Sequence, residues 1–151
     1  MSKRVLKPDI EFTLDGVNYS LIPMKQKVAA HVFHECLTHI LSAIAQAVSG
    51  KTDADKIAKF AQSLPEVASF NDVWFILEHV MKSAMVDGRE IKNLDESGIF
   101  EENPHHMYLV VFHAIKGNWP NYFSKMETKM GGFVSKLKAS FETMNEAEPR
   151  G

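Results

Sequence analysis

The stretch IEFTLDGVNYSLI at residues 10–22 admits one pairing register. Ile10, Phe12 and Leu14 alternate with polar residues, and so do Val17, Tyr19 and Leu21. Asp15-Gly16 sits between the two runs. A two-residue type I′ turn needs positive φ twice, and Asp-Gly supplies it. Leu14 then faces Val17, Phe12 faces Tyr19 and Ile10 faces Leu21, with all six side chains on one side. A lone hairpin is marginal in water, so the rest of the chain has to cover this face. Pro23 ends the second strand.

The cover begins at once. From Met24 to Ser49 there is neither Gly nor Pro. At the helical advance of about 100° per residue, Phe33, Cys36, Leu37, Ile40, Ile44, Ala47 and Val48 share one side. Lys27, His31, His34, Glu35, Thr38, Ser42 and Gln46 share the other. This predicts an amphipathic helix over about 25–49.

Two motifs inside this region invite chemistry. Residues 31–39, HVFHECLTH, hold three histidines, a glutamate and the only cysteine. A zinc protease helix needs HExxH, with both histidines one turn apart. Here His34 and His39 lie one residue too far apart, which is about 140° on the wheel. His31 and His34 lack a third ligand at a usual spacing, so they read as solvated side chains. Cys36, on the apolar side, reads as a small core residue.

Residues 45–52, AQAVSGKT, fit the loosest phosphate-loop pattern, in which Lys51 and Thr52 would meet phosphate and magnesium. Such a loop leaves a strand, whereas this one leaves a helix. Gly50 reads better as a helix C-cap. Thr52 reads better as the next N-cap, with Asp55 three residues on.

Further helices are predicted over about 53–63, ended by Leu64-Pro65, and about 70–86, capped by Ser69 or Asn71 and ended by Asp87-Gly88. Ile57, Phe60 and Ala61 point inward on the first. On the second, Val73, Leu77, Val80 and Ala84 form the stripe, and Trp74, Ile76 and Met81 widen it. Residues 87–102, DGREIKNLDESGIFEE, read as an acidic loop pinned by Ile99 and Phe100. Asn103-Pro104 predicts a helix start, and the helix runs over about 104–116. Tyr108, Val111, Phe112, Ile115 and Trp119 form its stripe, His106, His113 and Lys116 a narrow polar face, and Gly117 its C-cap. His105-His106 reads as part of a polar surface rather than as a metal pair.

A final helical region is expected over about 120–144. Phe123, Met126, Met130, Phe133, Leu137 and Phe141 recur there at three- and four-residue steps, flanked by lysines and broken by Gly131-Gly132. This seam is either core or an adaptable docking surface, because unbranched Met side chains repack against different partners.

The expected fold is mainly α: a helical bundle with an N-terminal β-hairpin. A basic leader (1–9) precedes a single domain (10–144), and a disordered tail (145–151) follows. A net charge of −2 leaves no basic footprint for nucleic acid. One cysteine forms no internal disulfide, which suits a reducing compartment. The N-terminus does not read as a signal peptide, and no run nears the roughly 18 apolar residues of a membrane span. No nucleophile elbow and no dinucleotide fingerprint is present. The expectation is a protein without metal or cofactor that binds other proteins and catalyses nothing.

The layout resembles the tail assembly chaperones of long-tailed bacteriophages. FTLDGVNYSLIPMK is similar to that family's start, a hairpin ending in Pro before a long helix. HMYLVVFHAIKGNWPNYF is similar to its apolar helix, Asn-plus-aromatic turn and second helix. The acidic stretch 87–102 has no counterpart in the resemblance. The resemblance implies a protein of the host cytoplasm, absent from the finished virion. It implies binding to the tape-measure protein, recruitment of tail-tube subunits, and in many members a frameshifted longer product. Self-association is compatible with it. Two alternatives stand beside it: another phage-encoded binder, such as a virion connector or an inhibitor of a host defence system, and a small nucleotide-binding enzyme using AQAVSGKT.

Overall fold

The computed structural model describes residues 8–120 apart from Val48 and the side chain of Leu37. The seam from Phe123 to Phe141, the expected helix over 120–144 beyond its first residue, and the terminal segments therefore lie outside the described residues. Within them the protein is mainly α with a small antiparallel sheet at the N-terminal side.

Strands β1 (Ile10–Leu14) and β2 (Val17–Leu21) pair in the expected register, Ile10 with Leu21, Phe12 with Tyr19 and Leu14 with Val17. Asp15 has φ 49° and Gly16 φ 80°, the double positive φ of a type I′ turn. Tyr19 and Leu21 are buried and the other four apolar side chains of this face half-buried.

Helix α1 (Gln26–Ala47) follows. Cys36, Ile40, Ile44 and Ala47 are buried as the wheel predicts, and His31, His34 and Glu35 are exposed. The apolar stripe also takes in Val32 and Ala43, both fully buried, and leaves Phe33 half-exposed.

Helix α2 (Asp53–Val67) starts where its cap predicts: Thr52 Oγ1 accepts the Asp55 N–H at 3.1 Å. It does not stop at Leu64-Pro65 but runs two residues past the proline. Proline in a helix loses one backbone hydrogen bond and crowds the preceding turn. Here it lies exposed in the last turn, while Phe60 and Leu64 on the opposite side are fully buried. Burying two such side chains stabilises by about 1.5–3 kcal/mol each, enough to hold the last turn through the proline.

Helix α3 (Phe70–Val80) is capped by Ser69, whose Oγ accepts the Asp72 N–H at 3.2 Å. It ends six residues before the expected point. Ser83, at φ 60°, turns the chain back, and β3 (Met85–Val86) pairs with β2. Asp87 (φ 50°) and Gly88 (φ 79°) form a second turn of the same type, leading into β4 (Arg89–Glu90). The sheet is a meander of order β1-β2-β3-β4. The second turn is tied to β2: Asp87 N donates to Asn18 O at 2.8 Å, and Asn18 N donates to Asp87 Oδ1 at 2.9 Å. The expected helix over 81–86 gives way because Val86 is buried against Tyr19 across the ladder.

The acidic stretch is likewise more ordered than expected. It holds β4 and a short helix α4 (Leu94–Ser97), capped by Asn93, whose Oδ1 accepts the Glu96 N–H at 3.1 Å. Ile99 and Phe100 pack on the core as predicted, and Ile91 is buried.

Helix α5 (His106–Asn118) begins two residues after the expected start. Asn103 and Pro104 form a tight turn before it, with His106 N donating to Asn103 O at 3.0 Å. The helix packs against β1 on one side and against α2 and α3 on the others, while α1 packs on α2 and α3. Val110, Val111, Ala114 and Ile115 are buried, and the Phe60 and Phe112 rings meet at 5.3 Å.

Gly117 serves close approach rather than capping, and Gly50 does both, its N–H donating to Ala47 O at 2.9 Å beyond the end of α1. A Cβ on Gly50 would sit 2.7 Å from the Lys56 backbone nitrogen, at the crossing from α1 into α2. Gly117 lies within α5, where a Cβ would meet Ile10 Cγ1 at 2.5 Å.

Candidate functional site

The polar face expected on α5 is where the hairpin lands. His113 is half-buried, its ring stacked on Phe12 at 4.3 Å, and burial holds it below the usual histidine range. His106 is fully buried. Neither lies on a solvated surface, because β1 packs along this side of the helix.

Burial of His106 requires partners for both ring nitrogens. Its Nδ1 lies 2.8 Å from the Tyr19 hydroxyl, and its Nε2 lies 2.8 Å from Asp15 Oδ2. His105 Nε2 approaches the same oxygen at 2.9 Å. Asp15 reaches both because the positive φ of the β1–β2 turn holds its side chain beside the start of α5. Hydrogen bonds from His106, then from His105, hold the Asp15 carboxyl below its ordinary value of 3.8. Burial pushes the Tyr19 phenol up to about 12, helped by Asp87 and Asp15, so it keeps its proton at neutral pH. In the tautomer that carries its proton on Nε2, His106 donates to Asp15 and accepts from Tyr19 at Nδ1.

A second buried link closes the other end of α5. Asn118 Oδ1 accepts the Met24 N–H at 2.8 Å, and its Nδ2 donates to Ala114 O at 2.9 Å. This fixes the exit of the hairpin to the last turn of the helix. It also gives the Asn-plus-aromatic segment a physical purpose, with Trp119 meeting Phe33 edge-on at 5.4 Å.

The histidine-rich segment of α1 disperses. His31 Nε2 lies 3.6 Å from Glu35 Oε1, and its ring meets Phe75 edge-on. His39 Nδ1 lies 3.0 Å from Asp72 Oδ2 on α3. Cys36 is buried, and burial pushes its thiol up to about 11. Lys51 donates its backbone N–H to Asp55 Oδ2 at 3.2 Å, in the cap of α2 rather than in a phosphate cradle. On α3 an exposed Phe70 stacks on Trp74 at 5.8 Å, an aromatic surface the sequence reading did not single out. Among the described residues no single helix is long and apolar enough to cross a membrane.

Sequence reasoning missed Asp15, Tyr19 and Asn118 as linking residues. Asp15 and Tyr19 were accounted for by turn and strand, and Asp15 stands 91 residues from His106. The signals were the adjacent histidines and a polar Asn at the helix end.

These features define a class: a helical scaffold whose N-terminal hairpin is clamped to one helix at both ends. The sequence matches the family described as phage tail assembly chaperone protein, TAC, over residues 15–134. The chain belongs to that family, and membership suggests a non-enzymatic role in tail assembly. No curated protein matches the chain. No solved structure matches it.

Proposed function

We propose that this protein is a non-enzymatic chaperone that binds the phage tape-measure protein and helps bring tail-tube subunits to it. The family match over residues 15–134 carries the reading. It acts in the host cytoplasm and leaves before the virion is complete. The client is a long helical protein with apolar stripes, which aggregates unless those stripes are covered. The seam of Phe123, Met126, Met130, Phe133, Leu137 and Phe141 supplies the cover, because its three- and four-residue spacing suits a helix laid in a groove. Flanking lysines favour acidic clients and speed encounter at low salt.

Co-expression with the tape-measure protein tests this. The expected result is a soluble complex recovered by pull-down. Met130→Asp and Phe133→Asp abolish recovery while leaving the melt unchanged. A tape-measure protein equally soluble and unbound in its presence would remove the reading. Loss of binding only in variants that also unfold would return the seam to the core.

A further inference from the structure

We propose that Asp15, His105 and His106 form a binding site for a divalent transition cation of the zinc class. Asp15 Oδ2 lies 2.9 Å from His105 Nε2 and 2.8 Å from His106 Nε2, and the three ligand atoms lie within 4.8 Å of one another. Among the described residues no other group of three His, Cys, Asp or Glu side chains converges in this way.

The donor set names the ion. Two imidazole nitrogens and one carboxylate oxygen suit Zn²⁺, Co²⁺, Ni²⁺ or Cu²⁺, whereas Mg²⁺ and Ca²⁺ prefer oxygen alone. Three protein ligands with a fourth position open to water is a familiar zinc arrangement. The side chains of Asp15 and His105 are more than half exposed, which leaves the ion a path in.

The site is anchored on its inner side. His106 is fully buried, and the Tyr19 hydroxyl holds its Nδ1 at 2.8 Å. Metal binding removes the proton from each Nε2. His106 then carries its proton at Nδ1 and donates to the Tyr19 oxygen. A phenol accepts as readily as it donates, so the 2.8 Å contact survives the change of tautomer. This is the outer-shell partner that ligating histidines regularly have. Bonds of about 2.0–2.1 Å in a tetrahedron set ligand atoms about 3.3 Å apart. The two Asp15–histidine separations therefore open by about half an ångström. Exposed Asp15 and His105 can both swing that far while His106 stays fixed.

The chain without an affinity tag is titrated with Zn²⁺ by calorimetry and with Co²⁺ by visible absorption. One ion per chain is expected, with the intense bands of low-coordinate Co²⁺. Saturating Zn²⁺ raises the melting temperature, because the ion joins the β1–β2 turn to α5. Asp15→Asn keeps a residue that tolerates positive φ and weakens binding at least tenfold, as does His105→Ala. Tyr19→Phe weakens it by about 10–100-fold with the stoichiometry unchanged. His34→Ala, on the exposed side of α1, leaves binding alone. Two results overturn the proposal: no saturable binding, or binding that survives both Asp15→Asn and His105→Ala.

Discussion

Gly117→Ala adds one methyl group where β1 crosses α5. Its Cβ would stand 2.5 Å from Ile10 Cγ1, 2.6 Å from Cδ1 and 2.8 Å from Cγ2. Ordinary carbon contacts begin near 3.5 Å, so all three overlap by most of an ångström. Ile10 is branched at Cβ, and rotating χ1 brings one carbon in as another leaves. The strand must therefore move off the helix, and the Phe12–His113 stack moves with it. Overpacking of this kind costs about 1–3 kcal/mol. Alanine in place of glycine inside a helix returns about 1 kcal/mol. The balance is a destabilisation of about 0–2 kcal/mol, too close to zero to be decisive alone. The decisive measurement is a double-mutant cycle. Ile10→Ala removes all three clashing carbons, so in that background Gly117→Ala stabilises by about 1 kcal/mol. The coupling between the two positions is then about 1–3 kcal/mol. Urea unfolding of the four proteins, followed by circular dichroism, gives each value. Equal stabilisation by Gly117→Ala in both backgrounds would refute the packing argument.

Asn118→Ala leaves the Met24 N–H without its acceptor and the Ala114 carbonyl without a side-chain donor, so it costs about 1–3 kcal/mol in the same unfolding assay. At high pH, the Cys36 thiol and the Tyr19 phenol both hold their protons more tightly folded than unfolded. Their stabilisation is complete below the ordinary values of 9.0 and 10.0 and is lost as pH rises through about 11 and about 12. Melting temperature therefore falls across that window, and Cys36→Ser flattens its lower part. At neutral pH the same thiol should react with a thiol reagent only on unfolding; prompt labelling of the folded chain would contradict its burial. On the acid side, His113 has a lowered value, so its contribution is present above 6.5 and lost as pH falls through that lowered value. His113→Gln should remove part of the acid loss of stability measured by thermal melts.

Some of this protein was written in short-range pattern. The register of β1 and β2 followed from alternation over five residues and a dipeptide that accepts positive φ twice. The caps Thr52 and Ser69 followed from hydroxyl chemistry within one turn. The buried and exposed sides of α1 followed from helical spacing, save that Val32 and Ala43 widened the stripe. The second turn was equally legible in its dipeptide, since Asp87-Gly88 repeats the dihedrals of Asp15-Gly16. Its flanking strands span two residues each, too few for alternation to show. The helical stripe through Val80 and Ala84 then claimed them.

What remained was decided by partners distant in sequence. Met85–Val86 is a strand because β2 offers an unpaired edge beside it. Pro65 stays helical because Phe60 and Leu64 are covered. Gly117 is small because β1 passes too close for a methyl group. His106 is buried, and its partners Asp15 and Tyr19 come from the hairpin at the other end of the described chain. Local sequence sets which dihedrals and which faces are available, since those depend on neighbours within a turn. Only the tertiary structure sets what lies against each face, because that depends on contacts between residues that no local spacing connects.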